Sequence, residues 1–113
     1  MTFKWNIFLS NLDPVIDSEQ GGRPVIVISD ETYNNVMPVV TILPLTSLKE
    51  GRRVYPNEVL LPKGSGNLPR DSLVLAHQIR TISKKRLGNS YGEINAPAIQ
   101  EKINSALKVH LNL

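Results

Sequence analysis

Apolar and β-branched residues are grouped in runs along the first three quarters of the chain. Segments containing Gly, Pro, Asn and Asp separate these runs, and such residues are typical of turns and loops. Residues 30–35, DETYNN, are predicted to form one of the loops. Short apolar runs between turn signals predict β-strands. The predicted strands lie at residues 5–12, 24–29, 37–46, 57–62 and 71–83.

The apolar residues also predict where individual strands lie in a sheet. In residues 5–12 they follow one another too closely for a strand with a solvent-facing side, so this strand is expected to be buried on both faces. In residues 37–46, Pro38 and Pro44 favour either an edge strand or a sharp bend. The run at residues 71–83 is the longest and is expected to be central.

The pattern changes period near the C-terminus. Apolar residues there recur at steps of three and four, in a stripe formed by Ile99, Ile103, Ala106, Leu107 and Leu111. This spacing predicts a helix that begins near residue 96, with Asn95 as its cap and Pro97 in its first turn. Several short strands followed by one helix indicate a mainly β fold, a small and strongly bent antiparallel sheet or barrel closed by a C-terminal helix.

Length and composition exclude several kinds of protein and site. A chain of 113 residues has room for one core, so residues 1–113 are expected to form a single domain. Its 41% hydrophobic residues are too many for a disordered chain. There is no cysteine, which excludes disulfides, thiolate metal sites and cysteine nucleophiles, and the two histidines lie far apart. We therefore expect neither a metal site nor a cofactor.

Charge and hydropathy favour some partners and locations over others. The net charge of +3 and the isoelectric point near 9.4 favour a polyanionic partner without requiring one. Residues 84–88, KKRLG, fit either a phosphate contact or ordinary solvated charge. No apolar run approaches the roughly 20 residues that span a bilayer, so we expect no membrane association and a cytoplasmic protein.

Several polar residues at strand ends are candidates for chemistry, and each also has an ordinary structural explanation. Arg23 follows Gly21 and Gly22, which either let a ligand approach the backbone or simply form a turn. Thr46 and Ser47 end the third predicted strand, while Asp71 and Ser72 open the long one. All four of these residues also suit local hydrogen bonds in turns.

The long predicted strand contains three polar residues that need partners. Strand alternation places His77 among apolar residues on one face, and Gln78 and Arg80 on the other. Burying such groups without hydrogen bonds is costly. The sequence therefore leaves two roles open for His77, a satisfied core or interface histidine and a member of a functional site.

The order of these pieces is more informative than any single one. The segments "SEQGGRPVIVIS", "TILPLTS" and "PRDSLVLAHQIRTISKKRL", followed by a C-terminal helix, resemble the MazF/PemK (Kid) family of toxin endoribonucleases over residues 5 to 110. The resemblance implies an SH3-like barrel with a C-terminal helix, and a homodimer. It also implies metal-independent cleavage of single-stranded RNA to 2′,3′-cyclic phosphate and 5′-hydroxyl ends. The implied partner is a cognate antitoxin whose disordered tail covers the RNA groove.

The resemblance also assigns roles to residues. Arg23 matches the arginine that stabilises the phosphorane, and Thr46 matches the catalytic threonine, which we expect to orient the phosphate because a hydroxyl is a poor base. Glu19 would either contact RNA or hold Arg23 in place. The RNA-binding positions implied are Ser18, Glu19, Gln20, Ser47, Asp71, Ser72, Gln78 and Arg80.

The chain departs from the family pattern in two places. The family usually carries a carboxylate immediately before the strand glutamine, whereas this chain has His77 there. We predict that His77 takes part in proton transfer, because imidazole titrates near neutral pH. The family also often carries an Arg-Gly-Asp/Glu stretch before its first strand, and "FKWNIF" has none.

Two other functions are weighed against the nuclease. A CcdB-like toxin that binds gyrase would need a C-terminal tryptophan, whereas this chain ends in "HLNL" and has the Arg23 and Thr46 pair that such toxins lack. A degenerate family member would bind RNA without cutting it. The aromatic content of 5% argues against the broad stacking platform of the usual single-strand binders.

Overall fold

A computed structural model of the protein describes residues 2–12 and 22–113. The predicted RNA-contacting residues Ser18, Glu19 and Gln20 therefore lie outside the described residues. Within the described ranges the chain forms strands and helices in the order expected, strands first and a long helix last. The strands are β1 Asn6–Ser10, β2 Arg23–Val27, β3 Val39–Ser47, β4 Glu58–Leu61, β5 Ser72–Leu75, β6 Arg80–Ser83 and β7 Leu87–Glu93, and the helices are α1 Glu31–Val36 and α2 Pro97–Leu111.

The strands form one bent antiparallel sheet. Its order is β4–β5–β3–β2–β1–β7, and β6 pairs with the first half of β3. The mainly β class with a C-terminal helix is thus confirmed. The sheet is open, because β4 and β7 stand at opposite ends of the ladder that the described residues form, so the predicted barrel is not closed by strand pairing.

β3 is the central strand, and it bends. Its residues 39–42 pair with β6 and its residues 45–47 pair with β5, while its other side pairs with β2. Pro44 lies between the segment of β3 that pairs with β6 and the segment that pairs with β5. A proline has no N–H to donate, and at this point it does not break a continuous row of hydrogen bonds. The bend predicted from the prolines is therefore present, and the alternative of an edge strand is wrong.

The long strand predicted at residues 71–83 is divided. β5 ends at Leu75, a 3₁₀ turn covers Ala76–Gln78, and β6 begins at Arg80. Because β3 bends, a chain that pairs with both of its halves has to break between them. His77 and Gln78 consequently lie on a turn, and the strand faces predicted for them are wrong.

Two elements lack a clear apolar pattern and were not predicted. α1 replaces the loop expected at residues 30–35, and Asp30 caps it by accepting a hydrogen bond from Thr32 N at 2.9 Å. The carboxylate of Glu31 accepts a bond from Phe3 N at 2.8 Å, which fixes α1 to the N-terminal segment. β7 has mostly exposed residues and pairs with β1 through two register shifts.

The core consists of two clusters on the two faces of the sheet. Ile7 belongs to one and Phe8 to the other, so β1 is buried on both faces as predicted. The larger cluster lies under α2. It contains Ile7, Ile26, Leu43, Leu45, Val59, Leu61, Leu68, Val74, Ala76, Ile94, Ile103 and Ala106. The smaller cluster contains Phe3, Phe8, Val25, Val27, Val40, Ile42 and Ile82.

α2 begins close to the predicted position but is capped differently. Its N-cap is Ala96, with Pro97 in the first turn, so the prediction of Asn95 as the cap is wrong. The backbone oxygen just before the helix, Ile94 O, accepts a bond from Gln100 Nε2 at 2.8 Å. Most of the predicted stripe packs on the larger cluster, but Leu111 is 48% exposed. Among the described residues no helix is long and apolar enough to cross a membrane.

Candidate active site

The strand pairing brings the two main candidate catalytic residues to the same end of the sheet. Ser10 of β1 pairs with Arg23 of β2, and Val25 of β2 pairs with Pro44 of β3. The β2–β3 pairing ends there, two residues from Arg23 on one strand and two residues from Thr46 on the other. A guanidinium and a hydroxyl, 23 residues apart in sequence, therefore lie at the same end of two paired strands.

The accessibility of this end of the sheet suits a substrate that arrives from solvent. Arg23 is exposed and Thr46 is partly exposed. Ser10, next to Arg23, is only 2% exposed, and its Oγ has no hydrogen-bond partner within residues 2–12 and 22–113. Ser10 was not among the candidate residues predicted from the sequence. The available signal was a hydroxyl inside a strand expected to be buried on both faces, where a polar group needs a partner.

A hollow of about 250 Å³ opens beside Thr46. It brings the candidates Thr46, Ser47 and Ser72 together with two residues that were not candidates, Arg70 and Tyr91. The full lining is Pro24, Leu45, Thr46, Ser47, Leu68, Pro69, Arg70, Ser72 and Tyr91.

Asp71 and Ser72 form local bonds that hold the loop before β5. Asp71 Oδ1 accepts a bond from Lys63 N at 2.7 Å, and its backbone oxygen accepts one from Leu48 N at 2.9 Å. Ser72 Oγ donates to Arg70 O at 3.0 Å. The Ser72–Arg70 bond is the local turn bond considered from the sequence, whereas Asp71 binds backbone groups farther along the chain. Contacts of Asp71 and Ser72 with RNA stay a prediction.

His77 is bound to a buried carboxylate. Its Nε2 lies 3.0 Å from Glu58 Oε2, and its ring centroid lies 6.3 Å from that of His110 on α2. Glu58 also accepts bonds from Arg52 Nη2 at 2.7 Å and from Tyr55 N at 3.0 Å. We call Arg52, Glu58 and His77 the Glu58 cluster. It joins β4, the loop before β4 and the turn after β5.

Glu58 is held in its charged form although it is buried. The hydrogen bonds from Arg52 lower the pKa of Glu58 most, burial of the carboxyl opposes them, and the bond to His77 lowers it further, giving a value of about 2. The side chain is only 1% exposed. A charge this deeply buried is tolerated because donors surround it. No pattern in the sequence pointed to Glu58 as the partner of His77.

Three further basic residues donate hydrogen bonds to backbone oxygens that are distant in sequence. Arg80 Nη1 donates to Leu12 O at 3.2 Å, and Arg86 Nη1 donates to Asn11 O at 3.0 Å. Lys84 Nζ donates to Asn34 O at 2.7 Å. Part of the basic segment 84–88 is therefore structural. Gln78 is exposed, and RNA contacts of Gln78 and Arg80 stay predictions.

The described part of the chain contains no cluster of three or more His, Cys, Asp or Glu side chains that could hold a metal ion. The chemistry available beside Thr46 is that of a guanidinium and hydroxyl groups. Such groups are suited to binding and neutralising an anion such as a phosphodiester.

Comparison with known proteins identifies relatives over nearly the whole chain. Residues 4–111 match the family model described as PemK-like, MazF-like toxin of type II toxin-antitoxin system. The endoribonuclease MazF of Staphylococcus saprophyticus is 33% identical over 114 residues, which cover 100% of this chain and 93% of that protein.

Solved structures show the same architecture. An endoribonuclease from a mycobacterial species, in complex with its cognate antitoxin, superposes with a TM-score of 0.81 at 27% identity, covering 100% of this chain and 97% of that one. A MazE–MazF complex from Deinococcus radiodurans gives a TM-score of 0.75 at 26% identity, covering 97% and 95% of the two chains. The order of motifs, the sheet and these matches agree, and the chain belongs to the family of PemK-like, MazF-like toxins of type II toxin-antitoxin systems.

Proposed function

We propose that this protein is a toxin endoribonuclease that cuts single-stranded mRNA at short sequences and thereby inhibits translation. We propose further that residues 1–113 act as one domain, that the protein works in the cytoplasm as a homodimer, and that a cognate antitoxin neutralises it. The observation that supports the nuclease proposal is that Arg23 and Thr46 lie at the same end of the paired strands β2 and β3 and are both accessible to solvent, Thr46 in part.

The proposed reaction is an internal transesterification. The 2′-oxygen of the ribose attacks the adjacent phosphorus and gives its proton to His77 or to water, the bond from phosphorus to the 5′-oxygen breaks, and the leaving 5′-oxygen takes up a proton from water or from the guanidinium of Arg23. The products are a 2′,3′-cyclic phosphate and a 5′-hydroxyl. Arg23 stabilises the charge that develops on the phosphoryl oxygens, because its fork of donors remains charged at neutral pH. Thr46 donates a hydrogen bond that orients the same phosphate.

Ser10 is proposed as a positioning residue for Arg23. It lies beside Arg23 in the β1–β2 register, and its buried Oγ is without a partner among the described residues. A hydroxyl oxygen in that position accepts a hydrogen bond from a guanidinium when the arginine turns towards the sheet. Such a bond would restrict the Arg23 side chain to fewer rotamers and hold its guanidinium in position for the phosphate.

One experiment separates this function from its alternatives. Purified protein is incubated with a long RNA in EDTA, and both new ends are mapped. We expect cuts with cyclic-phosphate and 5′-hydroxyl ends, because none of the proposed steps uses a metal ion. Gyrase–DNA adducts without RNA cleavage would instead support a CcdB-like toxin. RNA binding without cleavage would support a degenerate member of the family.

His77 is proposed to take part in proton transfer. Its Nε2 bond to Glu58 leaves Nδ1 as the nitrogen that can accept a proton from RNA or water. We expect His77→Ala to lower kcat about 100-fold or more and to change the shape of the pH–rate profile. The measurement is kcat from pH 5 to 9, with His110→Ala as the control because it removes only the neighbouring ring.

A purely structural His77 predicts a different result. In that case His77→Ala would lower the unfolding temperature by weakening the Glu58 cluster, and the pH–rate profile would keep its shape. A wild-type rate from pH 5 to 9 would end the catalytic proposal for His77. The roles of Arg23 and Thr46 would not be affected.

A further inference from the structure

The hollow beside Thr46 has walls that are held in place before any ligand arrives. One wall is the end of β2, β3 and β5. The other is the loop at residues 64–70 together with Tyr91 of β7. Asn67 Nδ2 donates to Tyr91 O at 2.8 Å, which ties that loop to β7. The two segments touch so closely that a Cβ added at Gly92 would lie 2.9 Å from Gly66 O.

The size and lining of the hollow suit one flat ring. Its volume of about 250 Å³ is below the roughly 300–1,000 Å³ of pockets that enclose drug-sized ligands. Pro24, Pro69 and Tyr91, whose side chains are rings, are among the residues that line it. The hydroxyls of Ser47 and Ser72 supply donors and acceptors at the same site, which is the combination by which unstacked bases are recognised in single-stranded RNA.

Arg70 adds a positive charge at the rim. The residue is exposed, and the bond that fixes it goes from Ser72 Oγ to its backbone oxygen rather than to its guanidinium. The guanidinium can therefore turn towards a ligand without breaking that bond. Guanidinium groups bind the acceptor edges of bases and phosphate oxygens equally well.

The position of the hollow relates it to the proposed chemistry. Thr46 and Pro24, the residue that follows Arg23, both line the hollow, so a ligand in the hollow lies close to the proposed position of the scissile phosphate. We propose that the hollow binds one base of the RNA, from a nucleotide adjacent to the cut, with Tyr91 as its stacking partner and Arg70 as a donor to its edge. This inference rests on the proposed nuclease function. A single aromatic contact is also consistent with the low aromatic content of the chain.

The test is an abasic scan. The wild-type cut site is first mapped on a long RNA. An oligonucleotide with that site carries a 2′-deoxy sugar at the cut nucleotide, so that it binds without being cleaved. Each base around the cut is then removed in turn. At one position next to the cut we expect loss of the base to weaken binding to the wild type by roughly 10-fold or more, the scale of a lost stacking contact.

The Tyr91 variants assign that loss to the hollow. Tyr91→Leu is expected to bind the intact oligonucleotide as weakly as the wild type binds the abasic one. Removal of the base is then expected to lower the affinity of the variant by less than about 2-fold, because both changes remove the same contact. Tyr91→Phe keeps the ring and should match the wild type. Tyr33→Leu, at an exposed tyrosine on α1, is the matched control and should leave the scan unchanged.

Arg70 gives an independent readout. Arg70→Gln should relax the preference for one base at the same position in the end-mapping experiment, with the cut chemistry unchanged. Additive losses for Tyr91→Leu and the abasic site, in a wild type that cuts RNA, would overturn this inference and leave the nuclease proposal intact. A wild type that cuts no RNA would overturn the nuclease proposal, and this inference with it.

Discussion

Arg23→Ala is expected to reduce the rate of RNA cleavage about 10²–10³-fold without unfolding the protein. Arg23 is proposed as the main hydrogen-bond donor to the charge that develops on the phosphorane. Deleting one such donor typically lowers the rate of an enzyme by this factor. The fold should tolerate the change because Arg23 is exposed at the start of β2, where pairing to Ser10 uses only the backbone. The measurement is a single-turnover rate at saturating protein, with a thermal melt of each variant.

Two further variants make the Arg23 result specific. Arg23→Lys keeps the charge but loses the two-pronged donor geometry, so it should restore only part of the rate. Arg53→Ala removes another exposed arginine, one that stacks 5.2 Å from the Tyr55 ring, and should leave the single-turnover rate within about 3-fold of wild type. Cleavage by Arg23→Ala at the wild-type rate would show that Arg23 does not act on the phosphate.

Glu58→Gln is expected to lower the free energy of unfolding by about 2–3 kcal/mol at pH 7. The pKa of Glu58 in the folded protein is about 2, well below the ordinary value of 4.5. A pKa lowered by that amount corresponds to roughly 3 kcal/mol of stabilising free energy. Because the Arg52 side chain is 32% exposed, solvent screening reduces this free energy. The amide also leaves Arg52 and His77 facing a neutral group. Urea unfolding at pH 7 measures the difference.

The pH dependence of this effect has a definite sign. Because the pKa of Glu58 is lower in the folded state, its stabilising contribution is fully present above about pH 4.5 and is lost as the pH falls towards 2. The stability difference between wild type and Glu58→Gln should therefore shrink across that interval. Glu101→Gln, at an exposed position on α2, is the control and should show no such change. A constant difference from pH 7 to pH 3 would contradict the account of Glu58.

Hydrophobic periodicity predicted those strands and helices whose own sequence contains the buried apolar residues at regular spacing. β1 has apolar neighbours at Ile7 and Phe8, which pack on opposite faces of the sheet. α2 has apolar residues at helical spacing, and Ile103 and Ala106 pack into the larger cluster. In both elements the buried apolar residues recur with the period of the strand or helix that they belong to. The hydrophobic pattern alone is therefore enough to predict the type and position of the element.

Elements stabilised by distant contacts were not predictable in this way. α1 has six residues, too few for a helix that is stable by itself, and it depends on Glu31 binding the backbone of Phe3. β7 is held by backbone pairing to β1 and has few apolar residues. The division of residues 71–83 depends on the bend of β3 at Pro44, a feature of a different strand.

The mainly β class, the C-terminal helix and, through the order of the motifs, the family with Arg23 and Thr46 as candidate residues follow from the sequence. The position of Arg23 and Thr46 at the same end of two paired strands, the burial of Glu58 against His77 and the hollow lined by Tyr91 emerge only in the folded chain. The physical reason is that hydrophobic period records whether a side chain is buried and on which face of its own element. Which residue of another strand or loop it meets depends on strand register and loop closure, which no local pattern contains.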